Sequence, residues 1–142
     1  SYFKNRHQFV SIENNCSDYL EISCGVPQGS VLGPLLFLIY INDFRLCSTK
    51  LDFHLFADDS NLFYAGKSLA QMESVINAEL THVETWLSAN KLSLNITKSN
   101  FVIFHPRQKK KNYILSLSIN NKLLKEECYI QYLGVMVDTH LS

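Results

Sequence analysis

Residues 53–64 read Phe53-His54-Leu55-Phe56-Ala57-Asp58-Asp59-Ser60-Asn61-Leu62-Phe63-Tyr64. Two short aromatic and aliphatic runs flank a pair of consecutive carboxylates, a pattern that predicts a β-hairpin with Asp58 and Asp59 at its turn. Bare carboxylates at the tip of a buried hairpin need a partner. A hard divalent cation suits them, because Mg²⁺ takes one or two carboxylate oxygens, keeps several waters and completes its shell with substrate phosphates. Successive strand side chains point to opposite faces, so two neighbouring acids cannot serve one ion equally. This makes Asp58 the direct ligand and Asp59 the secondary one. The same pair also reads as an Asp-rich turn whose side chains bond their own backbone and face water.

Upstream of the hairpin, Gly25-Val26-Pro27-Gln28-Gly29-Ser30 carries two glycines and a proline and leads into a long apolar run through Phe44. The reading is a loop feeding a helix, with Ser30 near the N-cap and Pro34 in the first turn. That helix is apolar all round, which predicts a position packed on both sides against a sheet. The glycines permit close backbone approach, and free N–H groups at a helix start suit a phosphate. A tight turn ahead of a core helix explains the same residues. Further upstream, residues 7–13 and 19–24 alternate as strands about a turn signal at Asn14-Asn15, a hairpin.

Downstream, Leu69, Met72, Val75, Ile76, Leu80, Val83, Trp86 and Leu87 recur every three or four residues, with Glu73, Glu79, His82 and Glu84 between them. This is an amphipathic helix of about five turns laid on a sheet, its stripe a core face. Residues 101–104 form a buried strand preceded by a polar loop with Lys98. Arg107, Lys109, Lys110 and Lys111 make the only basic run, either a solvated loop tip or a phosphate-contacting patch. Residues 113–119 and 122–124 read as strands about a turn at Asn120-Asn121. Residues 129–138 read as one extended stretch interrupted at Gly134, where a lone glycine marks a bulge or a close approach of another backbone. The order of elements predicts an α+β arrangement, with helices on one face of an antiparallel sheet.

The 142 residues are 46% hydrophobic with a formal net charge of zero, enough for one domain with a core. Bulk charge gives no argument for nucleic acid, so such a partner must be recognised by local patches. Cys16, Cys24, Cys47 and Cys128 contain no CxxC pair and the histidines no HExxH set, which reads as reduced thiols in an intracellular protein. Asn15-Cys16-Ser17 and Asn95-Ile96-Thr97 fit the glycosylation pattern but no signal peptide opens the chain. The most apolar run, residues 31–41, is far short of the ~20 residues a membrane span requires. Residue 1 is Ser and the methionines are Met72 and Met136, so a processed chain or a piece of something longer is expected.

Taken together, Gly25-Val26-Pro27-Gln28-Gly29-Ser30 with Leu32-Gly33-Pro34-Leu35-Leu36-Phe37, then Phe56-Ala57-Asp58-Asp59, Leu94-Asn95 with Lys98-Ser99, and Tyr132-Leu133-Gly134 give the chain its resemblance to a known family. It resembles the palm region of a reverse transcriptase, most similar to those of non-LTR (LINE-like) retrotransposons, whose metal-binding box typically reads FADD where retroviral enzymes read YMDD. The match runs through nearly the whole chain in order. The resemblance implies a polymerase palm-like antiparallel sheet with helices on one face, a partial domain carrying a remnant of the fingers. It implies an RNA-directed DNA polymerase in which two Mg²⁺ ions align a primer 3′-hydroxyl with the α-phosphate of an incoming dNTP. The expected partners are an RNA template, a DNA primer, dNTP and the remainder of a parent polyprotein, with no membrane. The expected location is nuclear and cytoplasmic.

By the same resemblance, Asp58 and Asp59 are the catalytic metal ligands. Gln28 and Gly29 line the nucleotide and template pocket, Lys98 lies near the triphosphate, and Leu133-Gly134 is the turn that holds the primer end. Local readings compete: Gln28 bonding its loop, Lys98 solvated, Gly134 a bulge. The family's pattern also requires another catalytic Asp on an upstream strand. Asp18, Asp43 and Asp52 do not lie in the matching pattern, so the expectation is a fragment without that strand or the thumb, inactive by itself. Two alternatives stay open: a decayed or domesticated remnant serving as a binding module, and an RNA-dependent RNA polymerase palm. Ala57 before the acid pair, where the latter usually carries glycine, favours the reverse transcriptase.

Overall fold

The structure is a computed structural model and describes residues 4–23, 25–27, 29–107 and 113–141. The chain divides into two compact units, residues 1–42 and 43–142. It is α+β, with two α-helices and short strands among the described residues, and no described helix is long and apolar enough to cross a membrane.

The first unit opens with a hairpin. Strand β1 (His7–Gln8) pairs antiparallel with β4 (Leu20–Glu21), and β2 (Ser11–Ile12) pairs with β3 (Asn15–Cys16). Between the ladders, Ser17 N–H donates to the Val10 carbonyl at 2.9 Å while the Val10 N–H donates to Ser17 Oγ at 2.9 Å, so a side-chain oxygen replaces one rung. Because Ile12 faces Asn15, the turn is Glu13-Asn14, one residue earlier than the Asn14-Asn15 signal suggests, and Glu13 takes φ 53°.

Helix α1 (Gly33–Ile41) follows. The N-cap position is Leu32, which makes no side-chain cap bond; Ser30, two residues earlier, accepts from the Gly33 N–H through its Oγ at 3.2 Å, and Pro34 sits in the first turn where its missing N–H costs nothing. The expectation that this helix is packed on both sides is corrected: Leu35, Leu38 and Ile39 are each more than half exposed. The reason is local, since the strands of this unit form a narrow hairpin and offer no broad sheet to lie on.

In the second unit, a 3-10 turn (Phe44–Cys47) leads to β5 (Asp52–Phe56) and β6 (Asp59–Phe63), then to α2 (Leu69–Ala89). A second 3-10 turn (Ile96–Lys98) precedes β7 (Asn100–Phe101). The rest are β8 (Ser118–Ile119), β9 (Lys122–Leu123), β10 (Lys125–Glu126), β11 (Tyr129–Tyr132) and β12 (Val135–Asp138). The core gathers Phe44, Leu51, Ile103, Leu115, Leu117 and Ile119 around Leu80 and Val83 of α2. The stripe read from the sequence is therefore the buried face of α2. Leu115, Leu117 and Ile119 alternate inward, as an extended segment laid on a helix requires.

The polar side of α2 does work that periodicity does not reveal. Asn77 Oδ1 accepts from Ser118 N–H at 3.0 Å while its Nδ2 donates to the Ser116 carbonyl at 2.9 Å. Glu73 Oε2 accepts from Ser116 N–H, and Glu84 Oε1 from Asn120 N–H. Side chains one and two turns apart thus satisfy a strand edge that a neighbouring strand would otherwise cover.

The single antiparallel sheet expected from the order of elements is not what forms. Among the described residues the strands make six separate two-stranded ladders, five antiparallel and one, β7 with β10, parallel. Each hairpin's register is set by its own turn, whereas joining hairpins into one sheet needs long-range pairing. Residues 129–138 are likewise corrected from one interrupted strand to two: Tyr132 faces Val135 across a two-residue tip, Leu133-Gly134, with φ of 48° and 85°. The tip of β8 and β9 is Asn120-Asn121, both at positive φ, as the sequence indicates.

Candidate metal centre

The hairpin of β5 and β6 pairs Asp52 with Phe63, Phe53 with Leu62, His54 with Asn61, Leu55 with Ser60 and Phe56 with Asp59. This register sorts its side chains into two faces. Phe53, Leu55 and Leu62 look inward, and the Phe53 ring meets Phe44 edge-on at 5.1 Å, with Trp86 of α2 at 4.6 Å from Phe44 on its other side. His54, Phe63 and Asp59 share the outer face, where Phe63 meets His54 at 5.1 Å and Tyr132 at 6.2 Å.

The last pair, Phe56 with Asp59, leaves Ala57 and Asp58 as the two-residue tip. Asp58 alone is a turn residue and Asp59 is the first residue of β6, which refines the expectation of both acids in the turn. Strand alternation therefore fixes the direction of Asp59 but not of Asp58. Ala57 takes φ 50°, a region glycine or asparagine enters more readily. Backbone strain of this kind costs on the order of 1–3 kcal/mol and gathers at functional sites.

Both carboxylates are exposed, and among the described residues neither has a hydrogen-bond or ion-pair partner. Two adjacent unpaired acids are a donor set that fits Mg²⁺, which draws one or two carboxylates from protein and the rest from water and substrate phosphate. No cluster of three or more His, Cys, Asp or Glu side chains that could hold a metal occurs among the described residues.

The contact between Phe63 and Tyr132 brings the Leu133-Gly134 tip beside the root of the acid hairpin. Phe63 lies four residues beyond Asp59, so at about 3.3 Å per residue the acid pair stands roughly 13 Å along the ladder from that contact. Gly134 takes φ 85° with nothing within 4 Å of where a Cβ would stand, so it is needed for its backbone and not for space. Lys98 ends the second 3-10 turn, exposed, in a loop held by Ser99 Oγ donating to the Asn95 carbonyl at 2.9 Å. Arg107 is exposed in a turn. No bond or ring contact joins either to the acid pair. Gly29 belongs to the first unit, where it takes φ 74° in open space. Gln28, Lys109, Lys110 and Lys111 lie outside the described residues.

A family model described as reverse transcriptase (RNA-dependent DNA polymerase) matches residues 2–137. The chain belongs to the reverse transcriptase family. It is 28% identical over 149 residues to the RNA-directed DNA polymerase from mobile element jockey of Drosophila melanogaster, covering all of this chain and 16% of the relative. A probable RNA-directed DNA polymerase from transposon X-element of the same species is 27% identical over 146 residues, again all of this chain and 16% of the relative. The retrovirus-related Pol polyprotein from type-1 retrotransposable element R1 2 of Nasonia vitripennis is 27% identical over 118 residues, 80% of this chain and 29% of the relative. These relatives mark it as a LINE-like, non-LTR reverse transcriptase, of which it spans 16% of the length in the first two cases. No solved structure matches the chain.

One group in this reverse transcriptase segment escaped the sequence reading. Glu79 of α2 is only 3% exposed, and its Oε2 accepts from Ser48 Oγ at 2.7 Å while Oε1 meets Lys50 Nζ at 3.0 Å. The Ser48 hydroxyl and then Lys50 hold the Glu79 carboxyl below the usual carboxylate range. The signal was available: Met72, Ile76, Glu79 and Val83 fall at spacings of four, three and four, which places an acid on the apolar stripe.

Proposed function

We propose that this chain is the metal-binding palm portion, with part of the fingers, of an RNA-directed DNA polymerase that copies an RNA template from a DNA primer and dNTP. The single observation that carries the reading is the hairpin tip: two adjacent, exposed, unpartnered carboxylates held on a rigid ladder, within a match to the family that covers residues 2–137. Asp58 and Asp59 hold Mg²⁺. Two such ions, when bound, supply charge stabilisation for the attacking and leaving oxygens of an in-line displacement. The residues of the chain itself do the positioning. Phe53 and Leu62 fix the hairpin on the core, Ala57 turns the chain so that Asp58 projects from the tip, and Asp59 is aimed by strand alternation. Leu133-Gly134 lies beside the hairpin root, suited to supporting a primer end. Gln28 and Gly29 contact nucleotide and template, Lys98 the triphosphate, and Arg107, Lys109, Lys110 and Lys111 the phosphate backbone. Such an enzyme works inside the cell, in nucleus and cytoplasm.

Primer extension by the full-length polymerase that carries this segment tests the reading. Asp58→Asn abolishes extension while template binding, measured by filter retention, stays within about 2-fold of the parent. Loss of both together refutes the metal role and assigns Asp58 to folding. The 142 residues alone extend no primer, since the acid pair is a small part of the ligand set two ions need; robust synthesis by this segment refutes that point.

A further inference from the structure

The hairpin that carries Asp58 and Asp59 has no third strand among the described residues. Within this segment, what the described residues supply to aim the hairpin is therefore the grip on its root. Immediately before β5, Ser48 Oγ accepts from the backbone N–H groups of Lys50 at 3.2 Å and Leu51 at 3.1 Å, and donates to Glu79 Oε2 at 2.7 Å. Ser48 and Leu51 are each 7% exposed and Glu79 3% exposed, so the link is closed to water on the side that matters. Lys50 Nζ and His82 Nδ1, at 3.0 and 3.4 Å, meet the same carboxylate from the solvent side. A buried acid whose oxygens are all engaged is a rigid peg, and polar networks of this kind specify one arrangement over close alternatives.

From these contacts we infer that Glu79, through Ser48, is a positioning residue for the acid pair: it clamps the root of the hairpin to α2 and so sets where Asp58 stands. The inference rests on the polymerase reading above. The lever is long. From the root at Asp52 to the tip is roughly 15 Å at about 3.3 Å per residue, so a tilt of about 4° at the root moves the tip by about 1 Å. A displacement of that size is enough to lower a rate about 100-fold. The pair Phe53 and Phe44 limits the hairpin's height above the core, whereas a hydrogen-bonded peg at one end limits its tilt.

The test uses the full-length polymerase with Glu79→Ala, Glu79→Gln and Ser48→Ala, read by steady-state primer extension and by amide hydrogen exchange. Glu79→Ala lowers kcat by about 10-fold or more with KM for dNTP within about 2-fold, and Glu79→Gln recovers most of kcat because its amide oxygen still accepts from Ser48. Exchange quickens over residues 52–63 in Glu79→Ala while residues 69–76 of α2 keep their protection. A kcat unchanged in the folded alanine variant, no rescue by glutamine, or faster exchange throughout α2 overturns the inference. If Glu79→Ala does not fold, Ser48→Ala carries the same expectation, and parental kcat in that variant overturns it. If the unsubstituted polymerase extends no primer, the functional reading fails by itself. Exchange over residues 52–63 then still decides whether the clamp exists.

Discussion

Replacing Phe44 with alanine removes the ring that stands between the acid hairpin and α2. Phe44 is 4% exposed, and its ring lies 5.1 Å from Phe53 and 4.6 Å from Trp86. Few other side chains in this unit are as fully covered, so neighbours have little core to relax into and the cavity stays open. A buried phenylalanine truncated to alanine costs about 3–5 kcal/mol. Leu46 offers an internal control, two residues on in the same 3-10 turn but 73% exposed. Leu46→Ala should cost less than about 0.5 kcal/mol. Trp86 is the sole tryptophan, so its fluorescence reports on the very contact that is removed. With a urea slope of about 1–2 kcal/mol per molar, Phe44→Ala should lower the unfolding midpoint by roughly 1.5–5 M and shift the native emission of Trp86. A midpoint shift no larger than that of Leu46→Ala, or an unaltered native emission, refutes the claim that this ring seats the hairpin.

Gly134→Ala meets no atom within 4 Å, so its cost is the left-handed backbone alone, about 1–2 kcal/mol in urea unfolding; a larger loss would mean a steric contact the geometry excludes. Ala57→Gly relieves the positive φ at the acid tip and should leave the urea midpoint equal or slightly higher, and a clear loss of stability refutes strain there. Glu79, whose folded carboxyl is held below its ordinary value of 4.5 chiefly by Ser48, adds stability above that pH and loses it as pH falls through the lower folded value. The urea midpoint of the parent should therefore drop below that pH more steeply than that of Glu79→Gln, and parallel curves refute the linkage. With Leu35, Leu38 and Ile39 exposed on α1, the 142-residue chain by itself should self-associate in size-exclusion chromatography, while a sharp monomer peak counts against it.

The hairpins were legible because their cues are local. Acid and turn residues between alternating apolar runs gave the β5 and β6 hairpin, and Asn120-Asn121 gave the next tip, since positive φ at two successive positions favours asparagine and glycine. The stripe of α2 was legible for the same reason, as three- and four-residue spacing is a property of one helix. Placement of the turns was less so: Glu13-Asn14 came one residue earlier than the Asn14-Asn15 signal, and at Leu133-Gly134 local pattern read only an interruption at Gly134, the turn itself coming from the family resemblance. Helix α1 was read as a core element from its composition, yet composition says only that a segment is apolar and not what stands near it.

The sequence by itself determined the family, the acid pair and its hairpin, and the helical stripe that forms the core, because motifs and periodicity are carried by residues close together in the chain. Only the tertiary structure decided that the strands remain separate ladders, that Leu133-Gly134 sits at the hairpin root, and that Glu79 is a buried peg under Ser48. Those are contacts between residues 31 to 69 positions apart, as with Ser48 and Glu79 or Phe63 and Tyr132. Pairing across such distances is fixed by the three-dimensional path of the backbone, which no local pattern encodes.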